Sequence, residues 1–156
     1  MSSRLAVLAL FGAALTFAPQ SSAQLVVDRL WVDLGSDGAG SEDIVLANES
    51  DERYYITLTP SEVRNAGTAE EKRETIANPE ELGLLISPSR IILEPGATRA
   101  VRIVSIADPP PRDRIYRLRV SPQVSDVDAP EVPPNETGVS IKLLVAYDIL
   151  IVARPP

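Results

Sequence analysis

VSIKLLVAYDILIVA, Val139 to Ala153, is the longest and most apolar strand candidate in the chain. Across it Ile141, Leu143, Leu144, Val145, Ile149, Leu150, Ile151 and Val152 leave Lys142 and Asp148 as the charged exceptions. A strand with one solvated face alternates apolar with polar residues, and this one is apolar on both parities for much of its length. Two readings stay open on the residues alone. The strand is central and covered on both sides, or it gives one face to the core and keeps the other for a partner's β-structure. Long apolar strands are normally guarded against edge-to-edge association, so an unguarded one points to use. A partner strand added there gains backbone hydrogen bonds together with side-chain pockets.

Outward from that stretch the chain continues to read as strands. Ile115–Val120 places Tyr116, Leu118 and Val120 on one face and Arg117 and Arg119 on the other; with Arg112 and Arg114 these could form a basic stripe, but the reading preferred is the solvent face of a half-buried strand. Leu84–Leu93 is apolar, interrupted by Ser87-Pro88-Ser89 and closed by Glu94-Pro95-Gly96, and Thr98–Ile106 follows with partial alternation. Tyr54–Thr59 is β-branched and aromatic, and Pro60 is expected to stop it. Leu25–Leu34 alternates, with Val26, Leu30, Val32 and Leu34 on one parity and Arg29, Trp31 and Asp33 on the other. Turn residues separate these runs, notably Asn48-Glu49-Ser50-Asp51 and the triple proline Pro109–Pro111. The fold class this predicts is all-β, a sandwich of about seven strands. Two polar stretches depart from it. Within Ser61–Gly83, Thr68-Ala69-Glu70-Glu71 fits a capping box, so a helical turn or two is expected there. Ser125–Thr137, with Pro130, Pro133 and Pro134 among acidic residues, reads as an extended loop before the last strand.

Residues 1–23 have the parts of a secretory signal: Arg4, the uncharged run Leu5–Ala18, and Ser21-Ser22-Ala23 ahead of Gln24. The run is shorter than the roughly 20 residues that span a bilayer. The expected organisation is a signal peptide over 1–23 and one β-sandwich domain over 24–156, exported to the periplasm with no membrane insertion after cleavage.

Composition then removes chemistry. The 156 residues contain no histidine and no cysteine, and the single methionine is Met1. No Cys/His zinc site, thiol nucleophile or Ser-His-Asp triad can be assembled. The remaining catalytic option is a carboxylate pair, but Asp37, Glu42, Asp43, Asp51, Glu52, Glu70, Glu71 and Glu74 fall in turns and the polar insertion as solubilising groups. No glycine-rich loop cradles a phosphate. The formal net charge of −7 argues against nucleic acid and anionic membrane surfaces as partners. The chain reads as a binding protein without enzyme activity, cofactor or metal.

Three segments in order resemble the PapD-like periplasmic chaperones of chaperone–usher pili. Leu85-Ile86-Ser87-Pro88-Ser89-Arg90-Ile91-Ile92-Leu93-Glu94-Pro95-Gly96 with Arg102-Ile103 looks like that family's apolar strand, proline and Leu-Glu-Pro-Gly turn. Pro110–Val120 is similar to its Pro-x-Asp-Arg entry into the sixth strand, and Ile141 to Arg154-Pro155 to its apolar seventh strand closing on Arg-Pro. The resemblance implies the family's immunoglobulin-like N-terminal domain, seven-stranded, and a donor-strand mechanism in which alternate apolar residues of the last strand fill the groove of an incomplete pilus-type or surface subunit. Counting back from Arg154-Pro155 places those residues at Ile141, Leu143 and Val145, and the subunit-binding set extends to Tyr147 and Ile149. Burying three to five such side chains contributes roughly 1.5–3 kcal/mol each before ordering costs.

The family also anchors its client's terminal carboxylate with an arginine in the first strand and a lysine in the last. Ungapped matching places Trp31 and Leu150 at those positions, and a slip of two residues brings Arg29 to the arginine's. The expectation is that an apolar Trp31–Leu150 contact replaces a charged clamp. The family carries a second domain, whereas this chain reads as a one-domain version. Expected partners are a secreted pilus-type or surface subunit, with an outer-membrane usher and a homodimer through the last strand as further associations. The alternative function is a structural or adhesive component of the surface assembly itself.

Overall fold

The computed structural model describes residues 24–35, 40–106, 112–124 and 143–155. The expected signal peptide, the triple proline and the whole Ser125–Thr137 loop lie outside them, as do Ile141 and Lys142.

The elements in chain order are β1 (Leu25–Val27), β2 (Trp31–Leu34), β3 (Ser41–Asn48), β4 (Tyr54–Arg64), β5 (Lys72–Glu74), α1 (Pro79–Leu82), β6 (Leu84–Ser87), β7 (Arg90–Leu93), β8 (Thr98–Ser105), β9 (Arg114–Gln123) and β10 (Tyr147–Ala153). One sheet has the order β1-β3-β8-β6; the other runs β2-β10-β9-β4-β5, with β7 also on β4. Taking β1/β2 and β6/β7 each as one interrupted strand gives seven long passes, the sandwich that the alternation predicts, with β5 as an addition.

The core forms where the two inner faces meet. Ile44 and Leu46 of β3, Val101 and Ile103 of β8 and Leu84 of β6 pack against Ile56 and Leu58 of β4, Leu118 and Val120 of β9 and Ile149 and Ile151 of β10. Full burial of such a side chain is worth about 1.5–3 kcal/mol, and with no cysteine in the chain packing holds the two sheets together. A polar knot fixes one rim. The buried Asn48 amide donates to the carbonyls of Glu52 (2.7 Å) and Leu93 (3.0 Å), and its oxygen accepts from the Ser50 hydroxyl at 2.7 Å. The Asn-Glu-Ser-Asp turn is thereby tied to the end of β7 rather than left to solvent.

Four expectations need correcting. Leu25–Leu34 is not one strand: β1 pairs with β3 in the first sheet and β2 with β10 in the second. The Asp28 carboxylate accepts the Val45 N–H (2.8 Å) where the chain leaves the first sheet, and the crossing swaps the parity. Leu25 faces the core, and Leu30 is 55 % exposed. Pro60 does not end β4, which continues to Arg64. The Leu58 N–H donates to Ser89 O, so two residues on the Pro60 nitrogen points to the same side, into the gap between the end of β7 and the start of β5. No ladder bond is lost there.

Thr68–Glu71 does not open a helix. Its side chains close a hairpin turn, with Thr68 Oγ1 donating to Asn65 O (2.8 Å) and Glu71 accepting from the Gly67 N–H (2.8 Å). The helix of this region is a single turn further along the chain, α1 at Pro79–Leu82, capped by Asn78. Finally, the last strand is shorter than its apolar run: Leu143–Ala146 are described and are not strand.

Candidate functional site: the two halves of the last strand

β10 has β9 along its whole length, from Tyr147 opposite Val120 to Ala153 opposite Arg114. Its other edge is covered for only part of the way. β2 lies parallel to it from Leu150 opposite Trp31 to Ala153 opposite Leu34, and the Leu150 N–H donates to Leu30 O at 2.9 Å. Among the described residues no strand pairs with that edge at Tyr147–Ile149, and none pairs with Leu143–Ala146 on either side. Peptide groups along such an edge can accept another strand, because their donors and acceptors are already aligned in extended geometry.

The side chains divide in the same place. Ile149 and Ile151 are 0 % exposed and belong to the core, and Ala153 is buried with them. Tyr147 is half-buried against that core and its hydroxyl donates to Leu25 O at 2.6 Å. Two and four residues further back, Val145 is 43 % and Leu143 76 % exposed, and Leu144 is exposed as well. The parity that fills the core within β10 thus passes, at its N-terminal end, onto residues that nothing described covers. Of the expected subunit-binding set, Leu143 and Val145 are open, Tyr147 is at the boundary and Ile149 is inside the sandwich. Ile141 lies outside the described residues.

The anchor candidates also have definite places. Trp31 and Leu150, read from the sequence as a pair, are register partners across the parallel ladder, with Trp31 59 % exposed on the outer face. Arg29 is at the crossing between sheets, 3.0 Å from Asp28 and 3.6 Å from Glu42, so its guanidinium is engaged by carboxylates of its own domain. Sequence reasoning missed a further group: Arg73 of β5 forms a two-pronged pair with Asp148, at 2.8 and 3.3 Å. In the strand order, β4 and β9 lie between these two residues. The signal was the single acid in an otherwise apolar run, but nothing local identifies its partner. At the other end, Arg154 donates to Asp33 (2.8 Å), which ties the exit of β10 to β2 and raises the arginine's pKa through that hydrogen bond.

This topology matches known structures. A chain of the chaperone–tip adhesin complex described as vital for synergistic activation of CFA/I fimbriae biogenesis aligns with TM-score 0.68 at 25 % identity, covering 85 % of this chain and 56 % of that one. The class 5 fimbriae chaperone CfaA aligns with TM-score 0.65, again at 25 % identity over 85 % of this chain and 56 % of CfaA. The fold is that of a PapD-like chaperone N-terminal domain. The CsuC–CsuE chaperone–tip adhesion subunit complex of Acinetobacter baumannii shares the fold of this PapD-like domain at 12 % identity, with TM-score 0.64 and coverage of 85 % and 57 %.

In sequence the PapD-like domain is 33 % identical over 119 residues to a CS1 fimbrial subunit of Escherichia coli, covering 75 % of this chain and 49 % of that protein. It is 25 % identical over 115 residues to a CFA/I fimbrial subunit of Escherichia coli, covering 74 % and 48 %. The chain thus spans about half the length of the curated relatives it matches. No protein-family model matches it. Among the described residues there is no group of acids placed to hold a metal ion, and no helix long and apolar enough to cross a membrane.

Proposed function

We propose that this chain is a periplasmic assembly chaperone for a pilus-type or surface subunit, and that it works by lending the start of its last strand to that subunit. The observation that carries this reading is the divided edge of β10: paired on both sides from Leu150 onward, and, among the described residues, without a strand on its second edge at Tyr147–Ile149 or on either side of Leu143–Ala146, with Leu143 and Val145 exposed. The likeness to the class 5 fimbriae chaperone CfaA supports the class of client. A client strand aligned on this edge takes up its free peptide groups, while Leu143 and Val145, with Ile141 ahead of them, enter the client's groove. Tyr147 and Ile149 then serve as the fixed root of the donated segment. Trp31 and Leu150 offer an apolar contact next to the point where β2 begins. Residues 1–23 serve as the export signal and residues 24–156 as the working domain.

The test is co-purification from the periplasm of a strain producing the client, wild type beside Leu143→Glu. A small β-rich client retained by wild type and lost with Leu143→Glu supports the reading. Equal retention by both forms makes the open stretch irrelevant and removes it. A chain found in the assembled fibre rather than left behind at export belongs to the structural class instead.

A further inference from the structure

The face of the second sheet beside that open edge has an unusual balance of charge. Strand register aligns Trp31, Leu150, Arg117 and Ser61 in one row across β2, β10, β9 and β4, with Asp148 opposite Arg119 in the neighbouring row. Asp148 is the natural partner for Arg119 in the ladder, but its carboxylate is taken by Arg73. Arg117 and Arg119 have no carboxylate partner among the described residues, as is also true of Arg90, Arg99 and Arg112 elsewhere, whereas Arg53, Arg64, Arg102, Arg114 and Arg154 each face one. In a chain of net charge −7 this leaves two guanidinium groups without a carboxylate, two residues apart on one face of β9, in a sheet whose edge carries the exposed Trp31.

We infer that the client segment received at β10 is acidic on the side it shares with Arg117 and Arg119. The inference rests on the strand-edge reading above and adds the chemistry of the partner. A strand added at Tyr147–Ile149 lies two strand spacings from β9, about 10 Å, and projects every second side chain onto this outer face. The β10 residue beside such a strand on this face is Asp148, whose charge Arg73 balances, so the unbalanced charge a glutamate there meets is that of Arg119, one strand beyond. Guanidinium groups pair with carboxylates through two parallel N–H···O bonds, and the same groups repel a client bearing lysines in those places. Such a face also draws an acidic partner toward an otherwise acidic protein, an attraction that salt screens.

The experiment uses the whole exported chain and two acetylated nine-residue strand peptides, alternating valine with glutamate or valine with lysine. Binding is followed by the fluorescence of Trp31, the single tryptophan. The glutamate peptide is expected to bind about tenfold more tightly at low salt, with the preference shrinking as salt rises. Arg117→Gln with Arg119→Gln should remove the preference, and Arg117→Lys with Arg119→Lys should keep most of it. Thermal melts by circular dichroism confirm that each variant is folded.

Equal binding of the two peptides, binding of neither, or a preference that survives the glutamine variant overturns the inference. So does arginine-dependent binding to phosphatidylglycerol vesicles without binding of the glutamate peptide, which makes the face a lipid site. Leu143→Glu separates the two claims. Loss of both peptides with Leu143→Glu, alongside equal affinities in wild type, leaves the strand edge standing and removes the acidic preference. An arginine-dependent preference untouched by Leu143→Glu does the reverse.

Discussion

The two halves of the final apolar run have nearly the same composition and different surroundings. Ile149–Ala153 is clamped by β9 along its length and by β2 from Leu150, with its side chains largely in the core. Leu143–Val145 is as apolar but meets neither strand and stays exposed. Composition alone cannot divide them, since it specifies that burial is favourable and not which surface provides it. The division comes from β2, which reaches β10 only after the chain has crossed between sheets at Asp28–Leu30. Among the described residues, then, nothing covers the first half of the most apolar strand, and the burial of that half depends on something beyond them.

The largest contrast is between Ile151→Ala and Leu143→Ala. Ile151 is fully buried between the sheets, so truncation is expected to cost about 2–5 kcal/mol in urea unfolding. Leu143 is 76 % exposed, so the same truncation should change stability by about 0.5 kcal/mol or less while weakening retention of the client. If Leu143→Ala destabilises the free domain as much as Ile151→Ala does, the exposed half is core and the division fails.

Much of the sandwich was legible because strand alternation is a local property. Tyr116, Leu118 and Val120 point inward and Arg117 and Arg119 outward, as their spacing requires. Ser87-Pro88-Ser89 reads as a break and is the place where β6 gives way to β7 in the other sheet. What was not legible depends on residues far apart in the chain. The parity change at Asp28 is set by a bond to Val45, and the passage of β4 through Pro60 by which neighbours flank it at that point. Thr68-Ala69-Glu70-Glu71 misled because the same side chains that cap a helix can close a hairpin on Asn65 and Gly67, which take the left-handed conformation at φ 52° and 76°. Of the site, the apolar segment and the Trp31–Leu150 pairing were readable, the second through family resemblance. The end of β2's cover and the reach of Arg73 to Asp148 were not.

A second prediction sharpens the paired half. Gly35 ends β2 with φ 100°, and a Cβ there would stand 3.1 Å from the carbonyl oxygen of Arg154, just beyond β10. Arg154 N–H in turn donates to Leu34 O at 2.9 Å, so the ends of β2 and β10 cannot separate without losing that bond. Gly35→Ala combines backbone strain with a close contact and is expected to cost about 1–3 kcal/mol. Its effect should be visible in amide exchange at Val152 and Ala153 and absent at Leu143–Val145. Equal loosening of both regions would mean that the run behaves as a single unit.

The smallest expected effect concerns the one ion pair that reaches the boundary between the halves. Arg73 and Asp148 meet at 2.8 Å with both side chains partly exposed, so solvent screens most of their attraction. A double-mutant cycle with Arg73→Ala and Asp148→Ala should give a coupling of about 0.2–1 kcal/mol at low salt, falling as salt is added. Asp148 also lies opposite Arg119, so losing Arg73 frees its carboxylate for that neighbour and part of the lost pairing is regained. The coupling should therefore rise when the cycle is repeated with Arg119→Gln, which removes the substitute partner. A coupling that is unchanged by Arg119→Gln would show that Asp148 and Arg119 do not communicate, and that Arg119 is unpaired for a reason other than competition from Arg73.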